Sequence, residues 1–117
     1  MDPIALTVSI LSEALPTLPI QTEVPEARPD RMVTVSLDGG TGDGFILRPR
    51  IGLTCWGRTD MDANGIATAC ISALSDAALD HPYLSHVALE SLARDEWTRT
   101  GAARYFAQLD LTINTDE

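Results

Sequence analysis

The segment FILRPRIGLTCWGRTDMDANGIATACISALSDAAL, residues 45–79, is the most informative part of the chain because it contains two hydrophobic periods in succession. Apolar and polar residues alternate through Phe45–Trp56, which is typical of a β-strand with one buried face. From Met61 the apolar residues recur at helical spacing, which predicts an amphipathic helix running to about Leu79. The inward side of the strand is assigned to Leu47, Ile51, Leu53 and Cys55. A strand leading directly into such a helix predicts a helix packed against a sheet.

The same segment contains D-x-D-x-N-G at residues 60–65, which is also the opening of an EF-hand calcium loop. Position 12 of such a loop should be a bidentate glutamate, and counting from Asp60 it is Ile71. The apolar stripe of the helix also begins inside this loop. We therefore predict the first turn of a helix, with Thr59 or Asp60 as its N-cap. Asp60 and Asp62 suit the positive end of the helix dipole.

A first helix is predicted to begin at Asp2–Pro3, since aspartate caps well and proline suits the first helical position. It should end at Pro16. One face of this helix carries Ile4, Val8, Leu11 and Leu15. Leu6 and Ile10 lie well away from that face, so the helix is apolar on more than one side. Either these two residues contact another subunit, or the short helix is packed on all sides within its own domain.

Further segments complete the order of elements. Residues 20–31 are interpreted as a short strand and a loop, and Met32–Leu37 alternates as a half-buried strand. Residues 84–98 fit both a strand and a helix, whereas Tyr105–Ile113 is the clearest strand. The expected fold is therefore a single α+β domain, residues 1–117, with the element order α-β-β-β-α-β-β. Its sheet should be mainly antiparallel, with about 4–5 strands and two helices packed mostly on one face.

The strand segments contain two local features that suggest sites. DGGTGDG, residues 38–44, has the glycine content of a phosphate-binding loop, but no G-K-[ST] ends it and a strand follows, so a hairpin loop is predicted. Pro49 lacks a backbone donor, which predicts a sheet edge or a bulge. Arg48 and Arg50 share one face of this strand. They are interpreted either as solvated side chains or as partners of acidic groups on a neighbouring subunit.

Composition excludes several function classes. The formal net charge is −9 and no lysine is present, so binding to nucleic acid phosphates or to an anionic membrane surface is not expected.

Cys55 and Cys70 lack zinc-site spacing and lie in apolar patterns, which predicts buried free thiols. His81 and His86 have no nucleophile or carboxylate arranged near them in sequence and are predicted to be surface or turn residues. We expect no catalytic residues, no cofactor, no metal site, no signal peptide and no membrane span, and a reducing cytoplasm fits.

Two stretches, RPDRMVTVSLDGG at residues 28–40 and RPRIGLTCWGRTDMDANGIATACISAL at residues 48–74, resemble the tail terminator proteins, also called tail-completion proteins, of long-tailed bacteriophages and prophages. The residues that carry the resemblance are Pro29, Val33–Val35, Gly39, Gly40, Trp56, Gly57, Ala63, Ile66 and Ala67. The resemblance implies a structural virion protein, assembled in the host bacterial cytoplasm. It would form a homo-oligomeric ring, a hexamer, that caps the head-proximal end of the tail tube, ends its polymerisation and joins tail to head. The implied partners are further copies of the chain, the tail tube protein and the head–tail connector proteins.

Other functions remain as alternatives at this stage. A head-side neck connector or stopper protein would have a similar size and acidity. A small calcium- or ligand-binding module would be built around Asp60, Asp62 and Asn64. A small enzyme is the weakest alternative, because no nucleophile, base and oxyanion donor are arranged together. For the ring, the candidate subunit interface consists of Leu6, Ile10, Arg48 and Arg50.

Overall fold

The computed structural model describes residues 2–94 and 103–114, which form two helices and five strands. The elements are α1 (Pro3–Ala14), β1 (Ile20–Gln21), β2 (Met32–Asp43), β3 (Ile46–Gly57), α2 (Asp60–Ala77), β4 (Leu84–Arg94) and β5 (Ala103–Asn114). This confirms the predicted α+β class and the predicted order of helices and strands. The ambiguous segment at residues 84–98 is a strand as far as Arg94, and its last four residues lie outside the described part of the chain.

The five strands form one sheet in the spatial order β1-β2-β3-β5-β4. Only the β1–β2 pairing is parallel, and the three other pairings are antiparallel. One face of the sheet is covered by α1 and α2, and the core lies between the two helices and the sheet. Its fully buried members include Leu11, Val33, Ile51, Leu53, Leu74, Leu109 and Ile113. The opposite face, here called the open face, carries mainly polar side chains such as Arg50, Gln108 and Asp110.

The start of α1 follows the prediction, and the four predicted inward residues belong to the core or pack against it. Asp2 Oδ1 accepts hydrogen bonds from the backbone N–H groups of Ile4 at 2.9 Å and Ala5 at 3.3 Å, and Pro3 is the first helical residue. The fully buried residues of this helix are Thr7 and Leu11. Thr7 can lie at the centre of the inward face because its hydroxyl donates to the carbonyl of Pro3 at 2.8 Å, so no buried donor is left unsatisfied. A face chosen by apolar residues alone therefore missed Thr7.

The first turn of α2 is capped as expected for a helix. Thr59 is the N-cap, and its hydroxyl oxygen accepts a hydrogen bond from the backbone N–H of Asp62 at 3.1 Å. The helix then runs for 18 residues to Ala77, and Ala63, Ile66, Ala67, Cys70 and Leu74 are its buried residues. The helical interpretation of the D-x-D-x-N-G motif is confirmed, and the helix ends two residues before the predicted end at Leu79.

The hairpin between β2 and β3 extends further than the predicted glycine loop. Strand β2 continues to Asp43, which pairs with Ile46, so only Gly44 and Phe45 form the turn. Gly44 has φ of +56°, in the left-handed region that favours glycine. The glycines before it instead belong to the strand, after a register shift between Leu37 and Gly39. The prediction of a hairpin was correct, but the extent of its loop was wrong.

Gly40 explains why this part of β2 needs glycine. Its φ is +130°, and an added Cβ would lie 2.6 Å from the Cα of Pro49 and against the carbonyl oxygen of Arg48. The backbones of β2 and β3 therefore approach too closely for a side chain at this position. Pro49 itself lies in a central strand, so the prediction of an edge position is wrong. In the described pairing of β3 with β5, Arg48 and Pro49 have no partner residue, so the missing N–H group of Pro49 is accommodated. The bulge lies on β2.

Trp56 lies on the open face side of β3, as the alternation predicted, yet it is only 6% exposed. The guanidinium of Arg28 lies 5.6 Å from the centroid of the Trp56 ring, and that of Arg104 lies 5.7 Å from it. These are cation–π distances. Because Arg28 belongs to the loop between β1 and β2, the indole holds that loop against one end of the open face.

Cys55 and Cys70 are both fully buried and both free thiols, as the sequence predicted. A hydrogen bond with Cys70, together with burial, raises the pKa of the Cys55 thiol far above its usual range. A thiol that stays protonated is a poor nucleophile and a poor metal ligand. We therefore assign both cysteines to the packing between β3 and α2.

Candidate functional site

The four residues of the predicted subunit interface lie on two different faces of the molecule. Leu6 and Ile10 are half-buried on α1 and pack against the edge of the core, so they serve the domain and also keep part of their surface accessible. Arg48 and Arg50 lie on β3, on the open face side. The structure therefore does not bring these two pairs together into one patch. A head-to-tail ring requires two different patches on each subunit, and this separation is compatible with that requirement.

Arg50 already has an acidic partner within its own chain. Its Nε donates to Asp110 Oδ1 at 2.8 Å, and its terminal NH2 donates to Asp110 Oδ2 at 3.1 Å. This bidentate contact joins the adjacent strands β3 and β5, and Glu90 on β4 lies 4.0 Å away. Arg50 is therefore tied to its own sheet, and Arg48, which is exposed, is the member of the pair with more freedom to contact a neighbouring subunit.

The contact between Arg50 and Asp110 should make the stability of the fold depend on pH in the acidic range. Hydrogen bonding to Arg50 is the main reason that the pKa of Asp110 lies below its ordinary value of 3.8. The folded chain thus holds this carboxyl in its charged form more strongly than the unfolded chain does. Its contribution to stability is full above the ordinary pKa and is lost as the pH falls below it.

Replacing Asp110 with asparagine should therefore reduce the free energy of unfolding at pH 6, and the difference from wild type should be smaller at pH 3. Urea denaturation at the two pH values measures this difference. The Arg50→Gln variant should show the same loss, because it removes the other half of the same contact. An Asp110→Asn variant that is destabilised equally at both pH values would show that the carboxylate charge is not what matters.

A second polar cluster lies beside this pair on the open face. The hydroxyl of Ser36 donates to Asp38 Oδ1 at 2.8 Å, and the side-chain amide of Gln108 donates to Asp38 Oδ2 at 3.2 Å. The carboxylate of Asp38 occupies the space above Gly52, where any added Cβ would collide with it. Asp38, which lies at the register shift in β2, thus lies over the open face of the sheet. Next to this cluster is a shallow groove of about 380 Å³, whose lining includes Arg48, Arg50, His86 and Asp110.

Another groove, of about 580 Å³, lies between the end of α1 and the start of α2. Its lining includes Leu15, Leu18, Met61, Asp62 and Ile66. At its rim, the Nε of Arg31 contacts Asp62 Oδ2 at 3.1 Å. If the chain were a ligand-binding module, the ligand would bind in this groove, because its lining includes Asp62 of the D-x-D-x-N-G motif.

The carboxylate of Asp62 is already satisfied by the chain. Its Oδ2 accepts the backbone N–H of Arg58 at 2.9 Å, and this bond, followed by the contact with Arg31, lowers the pKa of Asp62. Asp60 pairs with Arg94 at 3.0 Å. Within residues 2–94 and 103–114, no group of three or more His, Cys, Asp or Glu side chains is arranged to hold a metal ion.

A calcium titration tests the remaining alternative at this motif. We expect isothermal calorimetry to detect no calcium binding at micromolar strength, because two of the three required oxygen-bearing side chains are engaged by arginines and the backbone is helical. The Asp62→Asn variant serves as the control, and it should give the same trace as the wild type. Binding that disappears in this variant would establish a metal site.

Two exposed leucines were not singled out from the sequence. Leu37 on β2 is 54% exposed and Leu89 on β4 is 47% exposed, although both have the parity of the helix-covered face. The alternation of apolar and polar residues in β2 predicted that Leu37 is buried. Alternation indicates only which face of the sheet a residue belongs to. It does not report whether a helix reaches that part of the sheet. Both leucines lie on parts of β2 and β4 that the helices leave exposed, whereas Val35 and Leu84 on the same strands are buried.

No protein family model matches the chain, and no curated protein matches its sequence. No helix of the described part of the chain is long and apolar enough to cross a membrane.

Proposed function

We propose that this chain is a structural subunit of a long-tailed phage or prophage virion, a tail terminator. In this proposal its copies form a ring, a hexamer, on the head-proximal end of the tail tube. The ring ends tube polymerisation and offers a surface to the head–tail connector proteins. Its partners are thus copies of itself, the tail tube protein and the connector, and it acts in the virion after assembly in the host cytoplasm.

The observation that carries the proposal is the order α-β-β-β-α-β-β, with both helices on one face of the sheet. The two stretches that resemble tail terminators fall mainly in β2, β3 and α2 of this order. The residues of that resemblance also lie at joints of the fold. Gly40 lies where the backbones of the neighbouring strands β2 and β3 approach closely, and Gly57 lies at the joint between β3 and α2. Glycines at such positions are required by the backbone geometry, as expected for a protein with a structural role.

The charge of the chain supports a role around a passing nucleic acid. A formal net charge of −9 per subunit is multiplied around a ring. Carboxylates repel DNA phosphates, so a lumen lined by them would let DNA pass without binding it. The same charge disfavours indiscriminate contact between copies, so contact between subunits would have to use specific apolar or paired patches.

Arg48 is the charged residue we expect to contribute to the contact between copies. Reversing it to glutamate should lower the mass of the oligomer measured by light scattering, since a cation that faces acidic neighbours would become a repelling anion. Arg48 is preferred to Arg50 for this test, because a reversal at Arg50 would also break its contact with Asp110. Arg58→Glu is the matched control, as Arg58 is 71% exposed and pairs only loosely with Asp30 at 3.8 Å. An unchanged mass for Arg48→Glu would remove this residue from the interface.

The function itself is tested by electron microscopy of particles that lack the protein. Loss of a terminator should give tails of uncontrolled length, and supplying the wild-type chain should restore a uniform length. Loss of a head-side connector or stopper should instead give tailless heads that leak DNA. Negative-stain images of the purified protein with added tail tubes should show a ring at one tube end only. Normal tail lengths in the absence of the protein would refute the proposal.

A further inference from the structure

The sheet has two outer edges that no described strand occupies. The outer side of β4 is open along Leu84–Arg94, because β4 is last in the strand order. On the other side, β1 pairs with β2 only at Val33 and Thr34, so the outer side of β2 is open along Val35–Asp43 within the described residues. An open edge presents unpaired backbone N–H and C=O groups, which form a template for a further strand.

Neither edge contains proline, and apart from Arg94 and Asp43 at their ends each edge carries one charged residue. From Leu84 to Ala93 the only charged residue is Glu90, and from Val35 to Gly42 the only one is Asp38; neither stretch contains proline. Both carboxylates are directed over the open face. Glu90 lies 4.0 Å from Arg50, and Asp38 lies over Gly52. Each strand has a register shift at this residue, and the other charged residues of the two edges, Arg94 and Asp43, lie at their ends.

Leu37 and Leu89 lie in a single row of the sheet. Leu37 pairs with Ile51, Ile51 pairs with Leu109, and Leu109 pairs with Leu89. The two inner members are fully buried, whereas the two outer members are 54% and 47% exposed. All four side chains belong to the helix-covered face. Each outer edge of the sheet therefore has an apolar side chain at the same level and on the same side.

The strand directions match as well. Because β2 and β3, β3 and β5, and β5 and β4 are each antiparallel, β2 and β4 run in opposite directions. A second copy placed by rotation about an axis along the strands would present its β2 antiparallel to β4 of the first copy. In a cyclic ring, neighbouring copies are related by rotation alone, without a shift along the rotation axis. The rows of the two copies would then meet, with Leu89 of one copy beside Leu37 of the next.

We infer that neighbouring copies join through these edges, with the outer side of β4 of one copy paired to the outer side of β2 of the next. The contact is antiparallel, uses Leu84–Leu92 and Val35–Asp43, and places Leu89 against Leu37 of the next copy. Strand β1 limits its length, since it occupies the level of Val33 and Thr34. The inference rests on the proposed function only in its premise that copies of the chain assemble with one another.

Cysteine cross-linking tests this contact directly. In the L37C/L89C double variant the two new thiols lie three strand spacings apart within one chain, about 14 Å. This exceeds the Cα separation of about 7 Å that a disulfide allows, so bonds can form only between copies. The native Cys55 and Cys70 are fully buried and should not take part. We expect mild oxidation to give a ladder of trimers and larger species on a non-reducing gel.

The controls separate this contact from random collision. The single variants L37C and L89C can give at most dimers. The L37C/L79C variant also has two exposed thiols, since Leu79 is 85% exposed, but the second lies outside the row and should give no ladder at the same time point. If L37C/L89C forms only the dimers of the single variants, both free and on tail tubes, the inferred contact is wrong. Circular dichroism confirms that each variant is folded.

A charge exchange gives a second, independent readout. Leu89→Arg should reduce the oligomer mass, because it places a charge in an apolar contact. The L37D/L89R variant should restore the mass, since opposite charges then face each other, whereas L37R/L89R should not. Failure of the restored pair to differ from the like-charged pair would contradict the inference.

The outcomes also distinguish this inference from the proposed function. A ladder from L37C/L89C in a protein whose loss leaves tail length normal would support the edge contact and overturn the terminator function. Uncontrolled tail length in particles lacking the protein, together with no ladder on or off the tubes, would support the function and overturn the edge contact.

Discussion

Replacing Ile51 with alanine should lower the free energy of unfolding by about 4 kcal/mol, within the range of about 2–5 kcal/mol observed for such core truncations. Ile51 lies in the central strand β3, is fully buried, and pairs with Leu37 on one side and Leu109 on the other. The loss combines the transfer of apolar groups with the cavity that remains, since strands on both sides prevent the site from collapsing.

This effect is large relative to the total stability of a domain of this size, about 5–15 kcal/mol. Chemical denaturation with linear extrapolation measures it, and the melting temperature should fall by about 15 °C. Leu79→Ala is the matched control. Leu79 is 85% exposed, so its truncation should cost under about 0.5 kcal/mol. A cost below about 1 kcal/mol for Ile51→Ala would place the centre of the core elsewhere.

Replacing Gly57 with alanine should cost about 3 kcal/mol, at the upper end of the usual range for overpacking. The added Cβ would lie 2.8 Å from the Cα of Ala63 and 2.9 Å from the carbonyl carbon of Asp62, and closer still to the backbone nitrogen of Ala63. All three atoms belong to the backbone in the first turn of α2, so no side chain can rotate away. The helix itself would have to move from the sheet.

Gly65→Ala is the matched control for this prediction. Gly65 lies in the same helix, and an added Cβ there would meet no atom within 4 Å. Because alanine is favoured over glycine in a helix interior, this variant should gain about 1 kcal/mol. The two substitutions add the same methyl group, and denaturation curves should shift in opposite directions. Shifts in the same direction would show that the packing of α2 against the end of β3 is looser than the structure has it.

Local sequence signals predicted those parts of the fold that depend on local chemistry. Asp2 was recognised as a helix cap, and Thr59 as one of two candidates, because their acceptors lie two or three residues from the donors they satisfy. The alternating residues of β3 and β5 indicated their buried faces, because one sheet face is covered along most of their length. In these cases the residues that decide the structure are neighbours in the chain.

Features that depend on pairing between distant segments were not predictable in the same way. The contact of Arg50 with Asp110 joins residues 60 positions apart. The glycines before Gly44 resemble a loop by composition, and their pairing with β3 shows that they belong to a strand. The exposure of Leu37 and Leu89 depends on where the helices end over the sheet. For the candidate assembly surface, the sequence therefore indicated Leu6, Ile10, Arg48 and Arg50 but not the edges.

The stacking of Arg28 and Arg104 on Trp56 gives the protein a built-in optical reporter. An indole that is shielded from water emits at shorter wavelength than one in solvent. If the segment that carries Arg28 lifts away when copies meet or a tube end is engaged, the emission of Trp56 should shift toward the red. Trp97, the other indole of the chain, can be replaced by phenylalanine so that a single fluorophore remains. Stopped-flow fluorescence would then follow assembly in real time without any attached dye.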